Sequence, residues 1–345
     1  MVFILLILFI TYVDSFALYS NLYTFNQINS LIKNNKALPK GNELYKIKSD
    51  YYLDGPLNNK QINYFFDNGF LIVENLVNND LVKKMQKLKF EKNKYTSEYS
   101  TVDFNSWEKY PILLEVANEI GKAVAQLTPI VSHSDDNLHI VKDAFFIFNG
   151  GVNGTNKGCD WHIDDLLFWP SCLDSLGPGV NAWLTLDDID KNGGGMCIAP
   201  GSHSSKYIEC RESINYSSRK IIDNKIPNTC LIKKTNPKCK KILDSICYAP
   251  QMKAGDVILS TRFLFHRTSE FNNPEKSCDK RRYTIRYMPS SSKMDGIEKY
   301  SKKYVKYYPN KTVKTLNNSM KYWNKFPKIK LNKELIKKYT YNDLW

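Results

Sequence analysis

Histidine is scarce in this chain, five in 345 residues, so the position of each one carries information. No C-x-x-C pair and no Cys/His zinc spacing occurs, which argues against finger-type metal sites. The phosphate-cradling patterns G-x-G-x-x-G and G-x-x-x-x-G-K-[ST] are missing, and so is the nucleophile elbow G-x-S-x-G. Strands do not alternate with helices in a βαβ rhythm. Nucleotide-binding α/β folds and α/β serine hydrolases are thereby set aside. No uncharged apolar run reaches the roughly 20 residues a spanning helix needs.

What is present is an ordinary globular composition, 42% hydrophobic and 24% charged, with enough apolar material for a sizeable core. Lys and Arg outnumber Asp and Glu, 49 to 35, for a net charge of +14. Such a surplus invites a nucleic-acid or anionic-membrane reading. Its placement argues otherwise: residues 301–345 hold twelve Lys against only Glu334 and Asp343. The body of the protein is only mildly basic, and no nucleic-acid partner is expected. The basic tail, 291–345, suits an acidic surface or no partner at all.

Residues 2–13 (VFILLILFITYV) are a short apolar run followed by Asp14-Ser15-Phe16-Ala17, with small residues at the places a signal peptidase reads. A signal peptide over 1–17 is expected, and with it a secreted or secretory-lumen protein without a transmembrane span. The n-region lacks its usual basic residue, which leaves a buried N-terminal strand or an uncleaved anchor as the alternative. Four sequons, at Asn153, Asn215, Asn310 and Asn317, add weak support in so Asn-rich a chain. All eight Cys fall between 159 and 278. In a secreted chain an even, clustered set reads as disulfides. Cys210, Cys230, Cys239 and Cys247 occupy a polar insertion over 205–250 that staples would steady, whereas Cys159 and Cys197 can equally be buried thiols.

Beyond an N-terminal extension (18–55), the spacing predicts a short helix, the turn Asp67-Asn68-Gly69 and the strand FLIVENL. Asn79-Asp80 caps a helix carrying Leu81, Val82, Met85 and Leu88 on one face, and a longer amphipathic helix runs from about Pro111 to Leu127. From residue 139 the period changes. Runs at 144–148, 161–169, 181–186, 195–199, 256–260 and 283–287 are β-rich and separated by Gly, Pro and Asn turns. That pattern is mainly β with flanking helices, an antiparallel sandwich or barrel.

In WHIDD, strand alternation puts His162 and Asp164 on one face and Trp161 and Ile163 on the other. A third ligand must come from another strand, and His266 ends the strand-like run AGDVILSTRFLFH. Two His and one carboxylate form the facial triad that holds non-haem iron(II) and leaves positions open for co-substrate and oxygen. Asp165 points to the opposite face, His203 sits in a Gly/Pro turn as a weaker ligand candidate, and His133 and His139 lie in a polar, loop-like stretch as exposed or structural histidines.

The ordered set GFLIVENL, WHIDD, VNAWLTLDDID, GGGMCIAPGSH, AGDVILSTRFLFHRTS and RRYTIRYMP resembles the phytanoyl-CoA dioxygenase (PhyH) family of Fe(II)/2-oxoglutarate-dependent oxygenases over about residues 60–290. The resemblance implies a double-stranded β-helix (jelly roll, cupin-like) in a dioxygenase domain spanning 56–290, with His162, Asp164 and His266 on iron. It also implies hydroxylation, since halogenating relatives have a small residue where Asp164 stands. An arginine fork for the distal carboxylate of 2-oxoglutarate is expected about eleven residues after His266. Here position 277 is Ser, and Arg281-Arg282 come first. Parity puts Tyr283, Ile285 and Tyr287 on the back of the sheet and Arg282, Thr284 and Arg286 on the cavity face. Arg282 is favoured, Arg281 follows if the register slips, and Lys280 has the parity without the fork. Trp183 matches a Trp lining the 2-oxoglutarate pocket, and Thr268 a hydroxyl that bonds the carboxylate.

The resemblance implies a dioxygenase that consumes O2 and 2-oxoglutarate to hydroxylate a C–H bond of a small metabolite or lipid, with a peptidyl hydroxylase as a second possibility. The displaced Arg and the Cys-rich setting keep open a secreted jelly-roll binding protein without turnover. A zinc or cupin-type protein would show the triad with no buried cation opposite it.

Overall fold

A computed structural model of the chain describes residues 55–91, 99–128, 138–148, 160–164, 179–191, 193–207, 209–210, 232, 236–269, 271 and 280–289. The expected signal peptide, nearly all of the N-terminal extension, the basic tail, the four sequons, Asp165 and His133 lie outside those residues.

Among the described residues, eight strands form two sheets. The larger has six strands in the order β1 (Phe70–Val73), β6 (Val257–Thr261), β4 (Val180–Thr185), β8 (Lys280–Pro289), β3 (Leu138–Phe148) and β2 (Tyr99–Phe104), every pairing antiparallel. The smaller pairs β5 (Met196–Ile198) with β7 (His266–Thr268). This is the expected jelly roll with flanking helices. The run AGDVILSTRFLFH is not one strand, however. It leaves the large sheet at Thr261, turns, and enters the small sheet at His266, so a single segment carries the chain across the cavity. Of the run 161–169, only 161–164 are among the described residues, and there His162 makes a single bridge to His266.

Alternation along each strand divides the large sheet into two buried faces. In β4, Val180, Ala182 and Leu184 join Leu259, Tyr283, Ile285 and Tyr287 in the main core, while Asn181, Trp183 and Thr185 face the other way. Against that core pack α1 (Asn59–Asn68), α2 (Asn79–Gln86) and α3 (Pro111–Gln126). Asn58 caps α1 in a capping box with Gln61, and Asn78 caps α2. A second cluster, with Phe70, Trp183, Ile198 and Ile258, fills part of the space between the sheets. The third lies behind the small sheet, where α4 (Pro237–Ser245) buries Cys239 and Leu243 against Trp161, Ile163 and Phe265.

Two disulfides tie that third cluster together, Cys197–Cys247 and Cys210–Cys239. They close loops of 50 and 29 residues in sequence, long enough for each to restrict the unfolded chain substantially. Cys197 is therefore a bonded cysteine and not the free thiol its flanking position allowed. No helix among the described residues is long and apolar enough to cross a membrane.

One acid is buried on the helix side. Asp143 in β3 accepts hydrogen bonds at Oδ2 from the Tyr283 hydroxyl (2.6 Å) and the Trp107 amide (3.0 Å). Burial nevertheless pushes its carboxyl up to about 7 from 3.8. Between those values the folded chain holds a proton the unfolded chain has released, so this contribution to stability is complete below about pH 4 and is lost as pH rises through 7. Asp143→Asn keeps an acceptor for both donors and removes the titration. In urea melts, wild type should lose about 3 kcal/mol more than the variant between about pH 5 and pH 8. An equal loss in both would show that Asp143 is not the buried acid.

Candidate metal centre and its surroundings

His162, Asp164 and His266 converge with their ligand atoms within 4.8 Å of one another, the only such group of His, Cys, Asp or Glu found among the described residues. The fold accounts for the convergence. His162 and His266 are bridge partners joined by two backbone hydrogen bonds, which puts their rings 4.4 Å apart. Asp164 follows two residues later on the same side, while Trp161 and Ile163 anchor the segment in the cluster beneath. The anchor is reinforced because Trp161 Nε1 donates to Asp244 Oδ1 on α4 at 2.7 Å, and the Arg267 guanidinium lies over the indole.

Both imidazoles have their tautomers set by the backbone. His162 Nδ1 donates to the Asp160 carbonyl (2.8 Å) and His266 Nδ1 to that of Leu264 (3.0 Å), which leaves each Nε2 lone pair facing Asp164 Oδ1 at 3.6 Å. Burial, then the neighbouring His266, drives the His162 pKa down to about 4, so this ring is neutral. Burial alone would raise Asp164, but Arg286 and the two imidazoles hold it well below the usual carboxylate range. Burial likewise works to lower His266, and Asp164 overcomes it to raise that pKa. Two imidazole nitrogens, that of His266 freed once a cation displaces any proton it shares with Asp164, and one carboxylate oxygen, spaced around a common point, fit a divalent cation of the iron(II) type.

The second oxygen of Asp164 is held separately. Arg286 Nη2 donates to Oδ2 at 2.6 Å and Asn181 Nδ2 at 3.1 Å. One oxygen is thus fixed by the sheet while the other is turned to the histidines. Parity had put Arg286 on the cavity face but gave no sign that it would reach the triad. Asn181 belongs to no motif, although its position two residues before Trp183 puts it on the same face.

Arg282 lies two rungs from Arg286 on the same strand face, 2% exposed, with Cζ 4.2 Å from the Phe148 ring centroid and 5.3 Å from that of Trp183. Its Nη2 donates to the Gly194 carbonyl, and its Nε–H is buried without an acceptor among the described residues. Gly194 is required there: its φ is +70°, and a Cβ would stand 2.3 Å from the Phe148 ring. The Gly-rich turn therefore brings backbone directly against the arginine. A fixed guanidinium with an unmet donor, flanked by aromatic faces, fits a ligand carboxylate.

Arg281 is placed elsewhere. It points out of the cavity face, donates through Nε to Asp187 Oδ2 (3.0 Å) and through Nη1 to the Gln86 carbonyl (2.8 Å). Lys280 donates to the Asp188 carbonyl (2.7 Å) at an exposed position. Thr268 shares the His266 face of β7, two residues on. His203 is not at the triad: its Nε2 donates to the Phe66 carbonyl (3.1 Å), and neighbouring Ser202 Oγ accepts from the Phe265 amide (2.9 Å), so P-G-S-H is a brace for the strand carrying His266. His139 is neither in a loop nor exposed but 3% exposed within β3, opposite Met288. Lys142, also in β3, is buried with Nζ 4.4 Å from the Phe104 ring centroid, and burial followed by the nearby Arg286 brings its ammonium down to about 7.

A family model described as phytanoyl-CoA dioxygenase (PhyH) matches residues 65–276, more than half of the chain. Among solved structures, that of EctD from S. alaskensis with bound Fe aligns at 15% identity over 72% of this chain and 82% of that one, with a TM-score of 0.50. The carbocyclase SnoK from nogalamycin biosynthesis, described as a non-heme alpha ketoglutarate dependent enzyme, aligns at 15% identity over 67% and 84%, with a TM-score of 0.47. No curated protein sequence matches the chain.

Proposed function

The chain belongs to the phytanoyl-CoA dioxygenase family, a 2-oxoglutarate-dependent oxygenase family, and from that premise we propose that it is a hydroxylase acting on a C–H bond of a small metabolite. The observation that carries this reading is the carboxylate of Asp164, present and divided between two tasks: Oδ1 toward the histidines, Oδ2 on Arg286 and Asn181. His162, Asp164 and His266 would hold iron(II), and Arg282 would receive the distal carboxylate of 2-oxoglutarate along the Trp183 face, with Thr268 on the opposite sheet. When bound, these groups supply the oxidant: 2-oxoglutarate and O2 become succinate and CO2, and one oxygen atom enters the substrate C–H bond.

The residues of the chain orient, hold and exclude. Phe148, Trp183 and Ile258 keep water from the co-substrate pocket, and the backbone-held imidazoles present unprotonated nitrogens to the metal. Arg282 with its unmet Nε–H favours this reading over a zinc protein that has no cation opposite the triad, and over a binding protein without turnover. The signal-like N-terminus, together with two disulfides, supports action in the secretory pathway or outside the cell.

Anaerobic protein titrated with Fe(II) and 2-oxoglutarate should develop a visible charge-transfer band and, once O2 is admitted with a substrate panel, form succinate. Absence of both the band and Fe(II) binding would sink the proposal.

A further inference from the structure

Asn181 and Arg286 stand opposite each other in the pairing of β4 with β8, and both reach out of the sheet to the same atom, Oδ2 of Asp164. Both side chains are buried. Arg286 is itself steadied, its Nη1 donating to Thr284 Oγ1 (3.4 Å) two residues back on the same face. Asp164 belongs to neither strand, so one rung of the large sheet grips a residue that another segment of the chain carries. Burying a guanidinium, a carboxamide and a carboxylate together gains little stability over well-packed apolar side chains of similar volume, because each group must first leave water. The arrangement calls for a reason beyond packing.

The two oxygens of Asp164 supply it. A free carboxylate can place one oxygen or both on a cation. Here Oδ1 stands 3.6 Å from Nε2 of His162 and 3.6 Å from that of His266, whereas Oδ2 accepts a charge-assisted hydrogen bond of 2.6 Å from Arg286 and a second of 3.1 Å from Asn181. Those two donors use both lone pairs of Oδ2. To join Oδ1 on a metal, Oδ2 would have to strand buried donors, one of them charged. Which oxygens bind decides how many positions stay open. Two histidines and a single carboxylate oxygen take one face of an octahedral ion and leave three positions, two for 2-oxoglutarate and one for O2. A second carboxylate oxygen would fill the last of them.

We propose that Arg286 and Asn181 are positioning residues that confine Asp164 to ligation through Oδ1 alone, and so keep open the position O2 needs. The proposal rests on the oxygenase reading above and adds to it the rung of the sheet that sets how many positions the metal keeps. Arg286 carries the larger share, because its hydrogen bond is the shorter and the charged one.

The test replaces O2 with nitric oxide, which needs the same open position and gives a paramagnetic resonance signal on Fe(II). The full chain is loaded anaerobically with Fe(II) and 2-oxoglutarate and titrated with nitric oxide. Arg286→Met removes the charge and the donors while keeping an unbranched side chain. It should bind Fe(II) no more weakly than wild type in calorimetric titration, since a cation has gone and an oxygen has been released, yet need about tenfold more nitric oxide for half-saturation. Arg286→Lys, which keeps a charge and a donor for Oδ2, should recover most of that loss, and Asn181→Leu should show a smaller shift in the same direction. A side chain that only packs would move the melting temperature and leave nitric oxide affinity where it was. Wild-type nitric oxide affinity in Arg286→Met, or weakened Fe(II) binding by that variant in folded form, would overturn the proposal and leave the oxygenase standing. Should Arg286→Met fail to fold, Asn181→Leu decides by the same two readouts. If wild type itself binds no Fe(II), the proposal and the oxygenase reading fall together.

Discussion

Asp164→Ala is expected to abolish Fe(II) binding and with it at least a thousandfold of any succinate-forming activity. Four side chains meet this one carboxylate, His162, His266, Arg286 and Asn181. The two histidines face its Oδ1, and losing it leaves only two nitrogen donors, too few to hold a divalent cation against water. The Arg286 guanidinium, 2% exposed, loses the anion that answers its charge. Breaking a buried ion pair from one side costs about 3–5 kcal/mol because the remaining charge stays in a medium that solvates it poorly. The Ala variant should therefore melt well below wild type even without metal. Asp164→Asn separates the two effects. Its amide oxygen can still accept from Arg286, while its NH2 group turned to the histidines donates to the Nε2 atoms a metal would occupy. The Asn variant, which keeps the hydrogen bond but not the charge, should recover part of the stability that the Ala variant loses and bind no Fe(II) in calorimetric titration. If the Ala variant retained Fe(II) affinity, Asp164 would be a packing residue and the triad reading would be wrong.

Those expectations were partly visible in the residues themselves. His162 and Asp164 are two apart, so any extended backbone puts them on one side, and the structure needs only a single bridge at His162 to achieve it. Strands β4 and β6 were legible as short, nearly continuous apolar runs bounded by turns because both their faces are buried, and the three helices before residue 128 because one buried face recurs at the helical period. Strand β2, YSTVDF, was not: it is an edge strand with polar residues at half its positions. The first half of β3 was hidden for a different reason. Lys142 and Asp143 are adjacent charges buried on opposite faces, and a reading that expects charge in loops stops there. Helix α4 buries only Cys239 and Leu243, too few positions to establish a period within a Lys/Asn-rich segment. Parity correctly separated the cavity face of β8 from its core face, yet it fixes a direction and not a depth. Depth comes from pairing with β4 and β3, which brings Arg286, and not Arg282, beside the triad.

That division of labour between two arginines on one strand face sets the second large expectation. Arg282→Ala should weaken 2-oxoglutarate binding about a hundredfold or more, the usual consequence of removing one partner of a buried charge-assisted contact. Iron affinity should be unaffected, since Arg282 stands two rungs from Arg286 and makes no contact with His162, Asp164 or His266 among those described. Arg282→Lys should recover only a fraction. The ammonium restores charge, but it lacks the planar fork and the stacking between Phe148 and Trp183 that now hold the guanidinium in place. Arg281→Ala is the matched control, because Arg281 spends its donors on Asp187 and the Gln86 carbonyl outside the cavity face. It should leave 2-oxoglutarate affinity within about twofold of wild type. Equilibrium titration of the charge-transfer band gives both constants from one experiment. If Arg281→Ala were the damaging change and Arg282→Ala the silent one, the register of β8 would be shifted by a residue and the cavity face assigned to Thr284 and Arg286 would be the wrong one.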